Sequence, residues 1–165
     1  MTSSIRIACD KDRIRIWEIF RAVVAPGDTY AFDLEITRDE ALAYWFAPGN
    51  WTYVAEQDGR VIGSYILRPN RPGLGNHVAN AGFMVDPAAR RSGIGRAMGE
   101  HALRGALRLG YRAMQFNFVI STNESAVHLW QDLGFKIVGT LPGVFRHSRK
   151  GFVDAYVMFR SLDQA

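Results

Sequence analysis

The sequence predicts a single α/β domain built on a mixed sheet, and three observations predict it. Strand-type runs alternating in steps of two are interleaved with stretches whose apolar residues recur at helical spacing. Asp58 and Gly59 sit between two β-rich runs, and Asp-Gly in that setting signals a hairpin. A Gly-x-Gly turn, Gly93 to Gly95, follows one of the strands and opens a helix. The chain has 165 residues, nearly half of them apolar, enough for one substantial core and too few for two. No Ser/Gly/Pro or low-complexity run divides it, so residues 1–165 are expected to form one domain.

The elements follow in order. SIRIA alternates as a strand does. Asp10 is placed to cap a helix in which Ile14, Ile16, Trp17, Phe20 and Val24 fall at helical spacing, ending near APGDTY. Thr37 and Glu40 form a T-x-x-E capping box for a short helix, TRDEALAYWF, stopped by Pro48 and Gly49. The hairpin runs of WTYVAEQDGRVIGSYIL come next, then the loop RPNRPGLGN and a strand from Val78 to Val85. The helix after the glycine turn is expected to bury Met98, Ala102, Leu103, Ala106 and Leu107, and AMQFNFV reads as another strand. Asn123 is placed to cap the helix ESAVHLWQDL, and Gly134 to end it just past the C-cap. Two closing strands, roughly Lys136 to Phe145 and Phe152 to Arg160, complete the order β-α-α-β-β-β-α-β-α-β-β, a mixed sheet with helices and no internal repeat.

Composition excludes several functions. The N-terminal MTSSIRIACDKDRIRIW has charges throughout and no apolar core, which argues against a secretory signal. No stretch approaches the roughly 20 apolar residues of a membrane span. A cytoplasmic protein with no membrane partner is expected. Cys9 is the single cysteine and the four histidines are unclustered, so neither a disulfide nor a metal is expected. The formal charge is +4, but the arginines are scattered among acids, apart from Arg90, Arg91 and Arg96 and from Arg146, Arg149 and Lys150. With no nucleic-acid-binding motif beside them, the excess is read as serving a smaller anion and not nucleic acid.

The glycine turn is where such an anion fits. The first N–H groups of a helix lack intrahelical acceptors and carry the positive end of its dipole, so they take phosphate readily. Gly93 and Gly95 let the backbone approach closely, and Arg90, Arg91 and Arg96 surround it with charge. A Walker A loop needs a Gly-Lys-Ser/Thr ending that is absent. Gly93, Gly95 and Gly99 approximate a dinucleotide fingerprint, but DPAARRS separates the turn from its strand and the next strand does not end on an acid. A glycine loop with solvated arginines and no ligand also stays open.

The run VDPAARRSGIGRAM resembles the acyl-CoA signature of the GCN5-related N-acetyltransferase (GNAT) superfamily, V-x-P followed by [Q/R]-x-x-G-x-[G/A]. Val85, Pro87, Arg90, Gly93 and Gly95 match it in register. NESAVHLWQDLGF is similar to the superfamily's second segment, N-x-x-A-x-x-L-Y-x-x-x-G-F, through Asn123, Ala126, Leu129, Gly134 and Phe135. The resemblance covers essentially the whole chain. It implies a GNAT-like fold with strand 78–85 splayed from strand 113–119, acetyl-CoA as co-substrate, and no metal. It implies that Arg90, Arg91, Ser92, Gly93, Ile94, Gly95, Arg96 and Ala97 hold the pyrophosphate, with Val85, Asn123 and Trp130 along the rest of the coenzyme. A ladder N–H left unpaired near Met84 or Val85 is then the donor expected to face the thioester carbonyl. Many relatives carry a tyrosine thought to protonate the leaving sulfur at the position held here by Trp130, whose indole N–H cannot release its proton. Asn123 is therefore the expected partner of the sulfur region, unless it only caps its helix.

NHVANAGFMV and FNFVISTNESAVHLWQDLGF are further similar to the fungal L-azetidine-2-carboxylate acetyltransferases, a branch acting on proline-like imino acids. That likeness implies that Asn80 and Asn117, on the two splayed strands, bind the acceptor; an unpaired amide among apolar neighbours would ask for a polar partner such as a carboxylate. Thr29, Tyr30 and Phe32 are expected in the acceptor wall, with the hairpin near FRHSRKGF closing it. Asp28, Glu35, His77 and Asp154 are candidate bases, among which the sequence does not choose. The expected activity is acetyl transfer to a small amino or imino acid. The alternatives are another small amine, an antibiotic, a peptide N-terminus, or a non-catalytic acetyl-CoA sensor. A homodimer would be in keeping with the superfamily.

Overall fold

In the computed structural model, residues 3–162 are described; the two residues before them and the three after, part of the expected 1–165 domain, lie outside the described residues. The strands are β1 Ser3–Ile7, β2 Trp51–Gln57, β3 Arg60–Pro69, β4 Val78–Val85, β5 Ala113–Ile120, β6 Lys136–His147 and β7 Gly151–Ser161. The helices are α1 Arg13–Val24, α2 Arg38–Trp45, α3 Ile94–Arg108 and α4 Glu124–Asp132. One seven-stranded sheet runs β1-β2-β3-β4-β5-β7-β6, antiparallel everywhere except between β4 and β5. The mixed sheet and the element order are as the sequence predicts.

Strand alternation divides the core into two layers. Val54, Val61, Ile66 and Met84 pack under α1 and α2 with Phe20 and Trp45. Ala55, Tyr65, Leu67 and Ala79 face α3 and α4 with Met98, Met114 and Trp130. The Asp58-Gly59 turn has φ of 48° and 78°, the paired left-handed conformation of a tight hairpin. The capping box forms: the Glu40 N–H donates to Thr37 Oγ1 at 3.3 Å, and the Thr37 N–H donates to Glu40 Oε2 at 2.8 Å.

Several local expectations are corrected. Asp10 does not cap α1; it lies in a 3-10 turn, Asp10–Asp12, and pairs with Arg13 at 3.0 Å. Asp12 holds the turn instead, accepting the Cys9 N–H at 2.7 Å while paired to Arg6 at 2.8 Å. Ile14 and Leu107 are 59% and 52% exposed: Ile14 falls on the face of α1 away from its buried stripe of Ile16, Ile19, Phe20, Val23 and Val24, and Leu107 falls at the margin of the α3 stripe of Met98, Ala102, Leu103 and Ala106. Asn123 stands at the N-cap of α4 without a side-chain cap, because its Oδ1 accepts the Ser125 hydroxyl at 3.3 Å. Gly134, at φ 86°, ends that helix as expected, with the Phe135 N–H returning to the Trp130 carbonyl at 2.9 Å.

Candidate functional site

The site begins where a ladder stops. β4 and β5 are paired only through Val78 with Ala113 and Ala79 with Met114, and beyond those residues the strands part. Which backbone groups face the gap follows from the β3–β4 register. Asn70 donates its N–H to the Val78 carbonyl at 2.7 Å and Asp86 to the Ile62 carbonyl at 2.8 Å. By alternation the even-numbered residues of β4 bond to β3, whereas Ala81, Phe83 and Val85 turn their N–H and C=O toward the gap. The expected donor at Met84 is thereby corrected, since its N–H faces β3. Val85 stays on the open side, and Phe83, which the sequence reading missed, joins it. Tyr30, from the link between α1 and α2, bonds both groups of Phe83: its Oη accepts the N–H at 2.9 Å and its O–H donates to the carbonyl.

The gap widens into a cleft of about 420 Å³ between the α1–α2 link, β4, β5 and α4. Thr29, Tyr30, Phe32, Asn80, Asn117, Asn123 and Trp130 all line it, so the structure gathers these expected residues in one place. Asn80 and Asn117 are not unpaired as expected. The Asn80 amide donates to the Gln115 carbonyl at 3.0 Å, bridging the fork one residue beyond the last ladder pair. Asn117 sits where the β5–β7 register shifts, which turns it outward; its amide donates to Asn70 Oδ1 at 2.8 Å, and Gln115 donates to its Oδ1 at 3.0 Å. Trp130 packs its ring against Phe83 and Phe116, with centroids 4.8 and 4.7 Å away. Phe32 stacks on Tyr30 at 5.7 Å, and Thr29 donates to the Val23 carbonyl at 3.4 Å.

Sequence reasoning missed Arg68. It lines the cleft from β3, directly across from Asn80 in the strand register, and donates to the Tyr44 hydroxyl at 2.8 Å. It is half-buried and has no acidic partner among the described residues. Nothing in the spacing of a strand end could have aimed it at α2. None of the four candidate bases lines the cleft. Glu35 and His77 are exposed elsewhere, Asp154 accepts the Gly143 N–H at 2.9 Å, and Asp28 lies in the link with its Oδ1 enclosed and unbonded.

At the far end of β4, Asp86 caps a 3-10 turn, Pro87–Ala89, and is tied to α1 by Arg15. The chain then passes through Arg91 and Gly93, at φ 65° and 82°, into α3. A non-glycine residue in that left-handed region costs about 1 kcal/mol or more. Ala97 is the first residue of α3 to bond back, to Gly93 at 3.1 Å, so the amides of Ile94, Gly95 and Arg96 precede the helix's own ladder. Ser92 is held by its hydroxyl to the Ala89 carbonyl at 2.6 Å, while Arg90, Arg91, Ser92, Gly93 and Arg96 are exposed, Ile94 is buried and Gly95 and Ala97 are half-buried. A Cβ built at Gly95 would meet nothing closer than Leu129 at 3.6 Å and would stand 4.0 Å from the Val85 side chain. Gly99 differs: its Cβ would lie 2.6 Å from Leu133 and 3.1 Å from Trp130, so this glycine lets α4 pack on α3. Among the described residues, no three His, Cys, Asp or Glu side chains stand together as a metal would require, and no helix is long and apolar enough to cross a membrane.

This geometry has close relatives. The sequence profile of the acetyltransferase (GNAT) family matches residues 15–135. The N-acetyltransferase aca1 of Schizosaccharomyces pombe is 33% identical over 159 residues, covering 84% of this chain and 76% of that protein. A GCN5-related N-acetyltransferase from Kribbella flavida superposes with a TM-score of 0.92 at 46% identity, over 96% of this chain and 97% of its own. yncA from Salmonella typhimurium, solved with its cofactor acetyl-CoA, gives a TM-score of 0.87 at 26% identity, over 100% and 96% of the two chains.

Proposed function

The chain belongs to the acetyltransferase (GNAT) family and is an acetyl-CoA-dependent N-acetyltransferase, and from that premise we propose that its acceptor is a small amino or imino acid, bound by its carboxylate in the cleft. The observation that carries this reading is a continuous path. The open side of β4 leads from Val85, beside Gly95, through Phe83 to Asn80 and Arg68 in the cleft.

The residues present fit the coenzyme. Residues 90–97 supply the helix-start amides of Ile94, Gly95 and Arg96, three arginines, and at Gly95 a cradle that a side chain would fill. The open groups of Val85 suit the amides of a pantetheine arm, which would continue the interrupted ladder. Acetyl-CoA supplies the acetyl group as a reactive thioester. At the cleft's inner end the Phe83 N–H is the donor best oriented toward a carbonyl oxygen, pre-aimed because the backbone carries it. Asn123 and Trp130 need only donate hydrogen bonds near the sulfur, since a thiol of pKa about 8.5 leaves without being handed a proton.

On the acceptor side, Arg68 has a guanidinium without a carboxylate partner among the described residues, in a half-buried place where an ionic partner would be strongly held. Asn80 lies across from it and ties β4 to β5 where the fork begins, and Asn117, tied to Asn70, lines the same cleft, so their contribution to an acceptor is amide edges on a fixed frame. The amine must be neutral to attack, and free amines titrate near about 10. With no carboxylate or imidazole among the described residues that line the cleft, its proton passes to water there. The proline-like acceptors suggested by Asn80 and Asn117 are the narrowest form of this proposal, and catalysis by one cytoplasmic domain of residues 1–165 is its setting.

The test is a panel of amines incubated with acetyl-CoA while free thiol is followed. Azetidine-2-carboxylate, hydroxyprolines and ordinary amino acids should turn over, and the same rings without a carboxylate should not. Equal turnover of azetidine and its carboxylate, or turnover confined to peptides, would overturn the acceptor class.

A further inference from the structure

The hydroxyl of Tyr30 occupies a place that a strand neighbour should fill. On the open side of β4, Phe83 presents an N–H and a C=O to a gap that β5 has left, and one hydroxyl from a residue 53 positions earlier satisfies both. A hydroxyl is the smallest side-chain group that can accept and donate at once. Here it sits 2.9 Å from the Phe83 nitrogen, the position an incoming carbonyl oxygen would take to use that N–H.

We propose that Tyr30 is a catalytic residue: when acetyl-CoA is bound, its O–H turns from the Phe83 carbonyl onto the thioester oxygen, forming with the Phe83 N–H a two-donor site for the charge that gathers there. The inference rests on the coenzyme reading given above. The tyrosine keeps its proton throughout and forms no covalent bond. The new carbonyl oxygen displaces Tyr30 Oη from the Phe83 N–H and becomes the acceptor of the Tyr30 O–H. The freed Phe83 carbonyl is then available to accept an N–H of the amine and orient it for attack.

The surroundings suit a donor. Phe32 stacks on the Tyr30 ring at 5.7 Å and in turn packs on Phe20 at 4.9 Å, so a hydroxyl displaced from the Phe83 N–H stays beside it, within reach of the incoming oxygen. Burial raises its pKa above the ordinary tyrosine value, which keeps the hydroxyl protonated. The rings of Phe83 and Trp130, 4.8 Å apart, lower the local dielectric and strengthen any hydrogen bond made there. The missing tyrosine on α4 is thus not replaced in its role at the sulfur; Tyr30 acts on the oxygen.

The test uses Tyr30→Phe, which keeps the ring and removes the hydroxyl. Three quantities are compared with wild type: CoA affinity by calorimetry, the infrared carbonyl band of bound acetyl-CoA without acceptor, and kcat. In wild type the band should shift to lower frequency on binding. In the variant the shift should shrink, CoA affinity should stay equal or improve because no hydroxyl competes for the Phe83 N–H, and kcat should fall by about 100-fold. Fluorotyrosine at position 30, a stronger donor, should deepen the shift. An unchanged band and kcat in Tyr30→Phe would overturn the proposal and leave Tyr30 a plug of the open strand. Failure of wild type to bind CoA at all would instead overturn the coenzyme reading and this inference with it.

Discussion

Arg68 on β3 stands directly opposite Asn80 on β4, and both line one cleft. The pairing puts a guanidinium beside the residue whose amide bridges the fork between β4 and β5. Losing a charge-assisted hydrogen bond to a bound carboxylate costs about 1.5–3 kcal/mol, or roughly 10- to 150-fold in affinity. Arg68→Ala should therefore raise KM for a carboxylate-bearing acceptor by about that factor while KM for acetyl-CoA stays put. Arg68→Lys should recover part of the loss, since it restores charge without the planar fork. Steady-state kinetics on azetidine-2-carboxylate provide the measurement; an unaffected KM would return the arginine to a surface role.

Gly95 tests the other end of the path. Its backbone is not left-handed, and a Cβ there meets only ordinary contacts at 3.6 and 4.0 Å. The protein alone therefore has little reason to demand glycine. Gly95→Val should fold and melt within about 1 kcal/mol of wild type yet lose CoA binding by calorimetry, because the added methyls fill the space the diphosphate needs. Wild-type affinity in the variant would move the diphosphate elsewhere.

What was legible in the sequence was what neighbouring residues decide. Thr37 with Glu40, Asp58 with Gly59, and Gly134 after α4 each act over three residues or fewer, and each forms as expected. Asn123 shows the limit even at that range: a serine two residues on takes the oxygen that would have capped the helix. The cleft's gathering of Asn80, Asn117, Tyr30 and Trp130 was reachable only by resemblance, because no local signal says that β4 and β5 pair for two residues and then part. Illegible altogether were the choice of Phe83 over Met84, which depends on strand register, and the approach of Arg68 and Tyr30, which depends on contacts 24 and 53 residues apart. Tertiary register, and not propensity, decides those.

Gly99 should matter for stability and not for the coenzyme. Where Gly95 has room, a Cβ at Gly99 would stand 2.6 Å from Leu133 and 3.1 Å from Trp130, both on the far side of a packed helix pair. Gly99→Val should cost about 1–3 kcal/mol through overpacking, lowering Tm by roughly 2–4 °C per kcal/mol for a chain of this size. Trp130 fluorescence should change with it, because the ring must move. Thermal melts followed by fluorescence check both, and an unaltered Tm would mean that α4 can shift freely on α3.

Asp12 sets an acid limit on stability. Its hydrogen bond to Arg6 holds its pKa down from the ordinary 3.8 to about 2, with burial opposing and the Cys9 N–H assisting. A carboxyl depressed in the folded state is protonated first in the unfolded chain, so its stabilisation is complete above about pH 5 and is lost as pH falls through 4 toward 2. A shift of this size corresponds to about 2 kcal/mol, and because the Arg6 side chain is 39% exposed, solvent screening reduces the expectation to about 1 kcal/mol. Urea unfolding between pH 2 and 6 should show that much more pH dependence in wild type than in Asp12→Asn. Since neither Arg6 nor Asp12 lines the cleft, kcat of the variant at neutral pH should match wild type; identical pH slopes for the two proteins would mean that the pair contributes nothing to folding.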